Sequence, residues 1–254
     1  MAFRYIDIHA HLNFAVFDAD RDEAVRRAVT ADTAVINVGT QADTSRKAVE
    51  MVGQYEEGVY AIVGLHPTHS DESFDPAVYR EFLKNPRVVG IGECGLDYFR
   101  LEADTKARQK ETFAAQIELA NESGKPLMLH VREAYGDALE MLRSQAKVKG
   151  NAHFFAGTIE EAKMFLDLGF TISFTGVITF AKQYLELVEY VPLDMIQAET
   201  DCPFVTPVPY RGKRNEPAYV SHVVEKIARV KGLPIATVED ALLANARRMW
   251  KIEL

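Results

Sequence analysis

Tyr5-Ile6-Asp7-Ile8-His9-Ala10-His11 begins with apolar, partly β-branched residues and closes on two imidazoles two positions apart. Residues 5–9 read as a β-strand. Strand side chains alternate faces, so His9 and His11 project together, with Asp7 behind them. Two imidazoles on one face can chelate a single cation. The same format recurs outward from this stretch. Short apolar runs at residues 34–38, 60–65, 88–92, 127–131, 152–155, 171–175 and 195–199 read as further strands. Their spacing, roughly 20 to 40 residues, is that of a βα unit. The segments between them read as helices. Phe113, Ile117 and Ala120 recur on one helical face before the stop Gly124-Lys125-Pro126. Thr158-Ile159-Glu160-Glu161 has the form of a capping box, and Gly169 ends the helix it opens. Residues 237–240 read as a similar opening for a last helix running through Trp250. Alternating βα units demand parallel strands, because each crossover returns the chain to the same end. Eight such units favour a closed (β/α)8 barrel. A doubly wound open sheet is the competing reading, which periodicity alone does not separate.

A chain of 254 residues fits one barrel domain spanning residues 1–254. Apolar residues at 48% supply a large core, and charged residues at 26% supply a water-facing surface. No run of about 18 apolar residues exists to make a membrane-spanning helix. The stretch Met1-Ala2-Phe3-Arg4-Tyr5-Ile6-Asp7 has no charged-then-apolar leader, so the expected location is cytoplasmic. The two cysteines, Cys94 and Cys202, form no C-x-x-C pair, which argues against a thiolate zinc site and a disulfide framework. Both follow an acidic residue, and alternation turns them away as small buried side chains. A net charge of -8 excludes a protein that coats duplex DNA electrostatically, so any phosphate affinity must be local.

A barrel places its chemistry where strands end. Those ends carry His9 and His11, Gly64-Leu65-His66-Pro67, Gly92-Glu93-Cys94-Gly95, Leu129-His130 and Glu199-Thr200-Asp201. His153 falls near the beginning or middle of the sixth strand. Of the 7 histidines only His222 lies in a predicted helix, where it reads as a hydrogen-bonded core residue. His69 reads as a solvated loop residue. His66 either contacts substrate phosphate or simply ends its strand before Pro67. Imidazoles and carboxylates converging from separate strands suit a divalent metal. Four neutral histidines with Glu93 and Asp201 would just neutralise one divalent cation. A pair of cations would leave a net positive site able to hold a phosphodiester, with Glu93 as the bridge.

The motifs Asp7-x-His9-x-His11, Gly64-Leu65-His66-Pro67, Gly92-Glu93-x-Gly95-Leu96-Asp97-Tyr98, Leu129-His130-x-Arg132, Glu199-Thr200-Asp201 and Arg211-Gly212-Lys213-Arg214-Asn215-Glu216-Pro217 occur in that order. Together they resemble the TatD family of metal-dependent deoxyribonucleases, among the amidohydrolase-like barrels. The resemblance runs from residue 7 to about Asn245-Ala246-Arg247-Arg248. It implies a (β/α)8 fold, two divalent cations (Mg, Mn or Zn), and nuclease activity on DNA, often from the 3′ end of single strands. Carried over by position, the implied ligands are His9, His11, Glu93, His130, His153 and Asp201, and Glu199 matches an acidic position near the metals. Two departures stand out. His153-Phe154-Phe155-Ala156-Gly157 lacks the family's usual Cys after the His and Ser before the Gly, and Met249-Trp250 replaces a Leu-Phe ending.

The expected catalytic groups are Asp201, Glu93 and Glu199. Cations would lower the pKa of a water, and Asp201 is placed to take or relay its proton. Glu199 serves as a general-base partner or orients a ligand. Arg211, Lys213 and Arg214 form the dense basic run near the eighth strand and read as phosphate contacts, with Arg132 as another. Tyr98, Phe99 and Tyr210 are candidate base-stacking rings. The expected partner is DNA, single-stranded or frayed, with no membrane and no obligate protein partner. Two rivals remain: a hydrolase of small esters, amides or phosphoesters on the same barrel, and a metal- or nucleic-acid-binding module without turnover.

Overall fold

Runs of buried, mostly apolar residues pair side by side in strict chain order. β1 (Tyr5–Ala10), β2 (Thr33–Val38), β3 (Val59–Val63), β4 (Val88–Asp97), β5 (Leu127–Arg132), β6 (Gly150–Ala152), β7 (Thr171–Phe174) and β8 (Ile196–Ala198) form an 8-stranded sheet of order β1-β2-β3-β4-β5-β6-β7-β8. Every pairing is parallel. The computed structural model describes residues 3–69, 72–99 and 105–254; Met1 and Ala2, part of the stretch read for a leader, lie outside them. α1 (Arg21–Thr30), α2 (Ala42–Val52), α3 (Pro76–Phe82), α4 (Thr105–Ser123), α5 (Tyr135–Gln145), α6 (Ile159–Asp167), α7 (Leu185–Tyr190), α8 (Val220–Lys231) and α9 (Ile235–Trp250) lie between and after the strands. A consecutive strand order rules out the doubly wound sheet, whose order reverses at a switch point. The fold is a nearly closed (β/α)8 barrel. Among the described residues no helix is long and apolar enough to cross a membrane.

The seam between β8 and β1 is closed by single contacts rather than a ladder. The Asp201 N–H donates to the His9 carbonyl and the His11 N–H to the Cys202 carbonyl, both at 2.9 Å. The Asp7 carboxylate accepts from the Thr200 N–H at 2.8 Å and from the Thr200 hydroxyl. Burial pushes the Asp7 carboxyl well above its ordinary value, against the pull of those hydrogen bonds. Asp7 is thus committed to holding the seam.

Inside the barrel, Ile6, Ile36, Ile62, Val89 and Met128 pack with Trp250 from the end of α9. Trp250 is 1% exposed, and a Cβ on Gly90 would stand 3.0 Å from its ring. Its indole N–H donates to Gln197 Oε1 at 3.1 Å, and the Gln197 amide donates to Thr171 Oγ1 at 2.8 Å. The substitution of Trp for Phe at the C-terminal end therefore adds a polar contact as well as bulk. Outside the strands, Phe113, Ile117, Phe165, Val223 and Ile227 belong to the main layer beneath the helices.

Three expected boundaries shift. β4 continues through Asp97, past the glycines that look like its end. Gly92 and Gly95 have φ of 152° and 136°, and a Cβ there would meet the Met128 and His130 carbonyl oxygens at 2.5 and 2.1 Å. Glycine is thus what lets β4 run against β5. β6 ends at Ala152, so His153 stands just beyond its C-terminal end rather than at its beginning or middle. α9 opens at Ile235 after Pro234, which places Thr237 within the first turn rather than at a cap. The capping box at Thr158 forms as expected: Glu161 Oε2 accepts the Thr158 N–H at 2.7 Å, and Thr158 Oγ1 accepts the Glu161 N–H at 3.2 Å.

Candidate metal centre

Glu93 reaches from β4 into the barrel mouth and is the hub of the site. Its Oε1 lies 2.9 Å from His130 Nδ1, 2.9 Å from His153 Nε2 and 3.2 Å from His66 Nε2. Its Oε2 faces the other way, 3.4 Å from His9 Nε2 and 3.6 Å from His11 Nε2. Asp201 Oδ1 adds to the second group, 3.4 Å from His11 Nε2 and 3.9 Å from His9 Nε2. All six side chains expected as ligands meet here, carried by β1, β4, β5 and the ends of β6 and β8. His66 stands beside the Glu93 cluster and lines the same cleft.

The outer ring nitrogens show which atoms are left to face the cluster. His11 Nδ1 lies 2.9 Å from the Val38 carbonyl, and His130 Nε2 lies 3.0 Å from Asp97 Oδ2. The His9 and His153 rings stack at 3.9 Å with both Nδ1 atoms turned to Glu199, at 4.0 and 3.5 Å. At His11 and His130 an acceptor behind the ring favours the tautomer whose other nitrogen has its lone pair toward the centre, an arrangement typical of metal-binding histidines. His9 Nδ1, His153 Nδ1 and Glu199 Oε2 have no hydrogen-bond partner among the described residues although all are buried. Imidazole nitrogens and carboxylate oxygens converging in this way form a donor set that fits a borderline or hard divalent cation. Glu199 is fully buried and accepts the Phe154 N–H at 2.6 Å. Its place behind two rings favours the orienting role over that of a base. Glu199→Gln is expected to weaken divalent-cation binding 10- to 100-fold, roughly the cost of losing such a support. Competition titration with a metallochromic chelator measures it; an unchanged Kd means Glu199 orients nothing.

Asp97 is the functional residue that sequence reading left without a role. It lies four residues after Glu93 on one continuous strand, and period-2 alternation puts both on one face once the strand is known to continue.

Burial and neighbouring charge compete throughout the cluster. Burial lowers His9, and it takes His66 down to about 4. At His153 burial is overridden by Glu93 and Glu199, and the imidazole is raised well above its ordinary value. His130 is raised, against burial, by Asp97 and Glu93, and His11 by Asp201 and Glu93. Glu93 is held well below the ordinary carboxylate range, against burial, by His66, His153 and His9. Protons and cations therefore compete for the raised imidazoles, and cation affinity falls as pH drops.

The cluster floors a cleft of about 820 Å³ whose walls include Phe14, Arg132, Tyr135, Phe154, Tyr184 and Phe204. Arg132 lies at this cleft with its guanidinium 3.6 Å over the Phe99 ring. The basic run is more committed than its sequence conveys. Arg211 donates to the Thr206 carbonyl at 3.0 Å and covers the Phe180 ring, and Lys213 lies 5.7 Å over Tyr210. Arg214 donates to Asp20 at 2.7 and 2.6 Å and to Glu216 at 3.1 Å, above the Phe17 ring. Arg27 of α1 donates to the same Glu216 at 2.7 and 2.9 Å. Arg214 thus ties the loop after β8 to the start of α1. Tyr98 is held by Asp137 at 2.6 Å, and Tyr210 stacks on Tyr219 at 4.2 Å. The aromatic rings on the cleft are others than those the sequence singled out. His222 is half-buried beside Glu225, at 3.5 Å, rather than in the core. His69, read as a solvated loop residue, is half-buried in a short 3-10 turn (Pro67–His69), 3.5 Å from Glu72 and on the wall of the cleft.

The Arg214 clamp carries a pH signature. Hydrogen bonds from Arg214 and then Arg27 hold the Asp20 carboxyl down to about 2. A depressed carboxylate stabilises the fold above its unfolded pKa, and that contribution is lost as pH falls toward the folded value. Arg214→Ala is expected to lower Tm by about 2–4 °C near neutrality, as loss of a partly exposed ion pair should. The gap from wild type should close between about pH 4 and pH 2. Thermal melts across acid pH check this, and a pH-independent gap would remove the ionic explanation.

Known proteins share these features. The family described as TatD related DNase matches residues 6–251. A metal-dependent hydrolase of Bacillus subtilis, YabD, is 38% identical over 97% of this chain and 98% of its own length. A 3′-5′ ssDNA/RNA exonuclease, TatD of Klebsiella pneumoniae, is 34% identical over 98% of both chains. The crystal structure of YJJV, a TatD homologue from Escherichia coli K12, superposes with a TM-score of 0.91 over 100% of both chains at 27% identity. Matched along almost its whole length in sequence and in fold, the chain belongs to the TatD family of metal-dependent hydrolases.

Proposed function

We propose that the protein is a two-cation nuclease that hydrolyses phosphodiester bonds of single-stranded DNA from the 3′ end. The observation that carries this reading is the division of Glu93: each carboxylate oxygen faces a separate group of imidazoles. His9, His11, Asp201 and Glu93 would hold one cation, and Glu93, His130 and His153 another. Divalent cations there supply an acidified water and offset phosphate charge.

The chain's own residues do the rest. Asp201 lines the cleft, and His11, His153 and His9 hold its carboxyl below the ordinary value against burial. It is therefore ionised at neutral pH, a weak base suited to relaying a proton rather than keeping it. Arg132 offers a fixed cation at the cleft wall for a non-bridging phosphate oxygen. The cleft of about 820 Å³ that holds Asp201 also carries Arg132 and the exposed ring of Phe204. The Klebsiella relative's name supports a nucleic-acid substrate, and the Bacillus relative's name supports the hydrolase chemistry alone.

The test pairs metal counting with end-labelled oligonucleotides. Purified protein loaded with Mg²⁺, Mn²⁺ or Zn²⁺ should hold two cations per chain and shorten 3′-extended single strands stepwise. Saturation at one cation would sink the bridge. Turnover of small esters or phosphoesters without cleavage of any oligonucleotide would replace the nuclease reading with the small-substrate one.

A further inference from the structure

Phe204 is 52% exposed, yet its backbone is firmly held. Its N–H donates to the Asp201 carbonyl at 2.9 Å, and its own carbonyl accepts from Asn215 Nδ2 at 2.6 Å. Asn215 is fully buried and also donates to the Thr200 carbonyl at 2.9 Å. The backbone that carries the exposed ring is therefore tied to Asp201 and to the buried Asn215. Its neighbour is Phe14, 6.4 Å away at 70°, which in turn stacks on His11 at 4.4 Å and 10°. The two rings form a rigid apolar corner that begins on one of the cluster imidazoles and opens into the cleft.

Such a corner beside a polar, cation-binding centre suits a ligand that is flat and apolar on its faces and anionic a few ångströms away. We propose that Phe14 and Phe204 form a stacking site for the unpaired nucleobase next to the scissile phosphate. This rests on the nuclease reading above and names the part of the substrate that this corner takes. A base in a duplex is stacked on its neighbours and offers no free face, so the corner selects single-stranded or frayed ends. Base–aromatic stacking tolerates any base, so it confers a preference for the presence of a base and little preference among sequences.

The test compares the cation-loaded, full-length protein on two single-stranded oligonucleotides. One is ordinary; the other carries abasic tetrahydrofuran residues at its two 3′-terminal positions. Wild type should favour the ordinary strand by about 5- to 100-fold in KM and in binding measured by fluorescence anisotropy, the range that stacking supplies. Phe204→Ala should bring this ratio toward unity, and Phe204→Tyr should restore it. A ratio that Phe204→Ala leaves intact overturns the stacking site while the nuclease reading stands. If wild type neither binds nor cleaves either strand but turns over a small phosphoester, the nuclease reading falls and the stacking site falls with it.

Discussion

Glu93→Ala is expected to empty the centre of at least one cation and to lower kcat/KM by about 10³-fold or more. The magnitude follows from what the side chain links. Each of its oxygens stands at one of two imidazole groups, so its loss removes a donor from both at once. Metal charge stabilisation is worth several kcal/mol in a hydrolytic transition state, and each 1.36 kcal/mol is about tenfold in rate. The fold should survive the change. His153, His130 and His11 lose one of the groups that raise them, and Glu199, Asp97 and Asp201 remain beside them, so none is left as an unpaired buried charge. Elemental analysis should show fewer cations per chain, with a circular dichroism spectrum like wild type's. Ordinary turnover and metal content in this variant would show that Glu93 bridges nothing.

The largest stability effect is expected at Trp250. Trp250→Ala removes the ring that fills the barrel interior beside Ile62 and Gly90, and it strands Gln197 Oε1. Deleting a large buried aromatic costs about 3–5 kcal/mol, and an orphaned buried acceptor about 1–3 kcal/mol more. Against a total stability of about 5–15 kcal/mol, the variant should melt roughly 10 °C or more below wild type. Trp250→Phe keeps the packing and loses the hydrogen bond, so it should fall between the two. Thermal and urea denaturation distinguish these outcomes, and a Trp250→Ala melt within a degree or two of wild type would mean that the ring is not a structural plug.

The barrel is readable in the sequence because its signals are local. Each strand except the sixth announces itself by β-branched and aliphatic residues at the start, and the order of chemistry-bearing ends is already that of a barrel mouth. β6 is poorly legible because it opens on Gly150-Asn151, residues that disfavour strands, and its short ladder holds through pairing on both sides. β4 reads as too short because Gly92 and Gly95 resemble turn residues, whereas close approach to β5 demands them there. That one error hides Asp97. The clustered histidines are legible because alternation makes His9 and His11 share a face, and because the family motifs pick out the others. The function of the basic run is illegible for a physical reason: Asp20 and Phe17, which engage Arg214, lie far away in the chain. The cleft aromatics escape notice similarly, since Phe14 and Phe204 meet only through the fold.

The contact of Asp7 with Thr200 joins positions 193 residues apart, beside the point where His9 and His11 meet Asp201. The five clustered imidazoles and Glu93 all precede Asp201 in the chain, so the seam between the first and last strands is what adds this carboxylate to them. Until that seam forms, the Asp201 oxygen does not stand beside His9 and His11, so closing the barrel and completing the donor set are the same step.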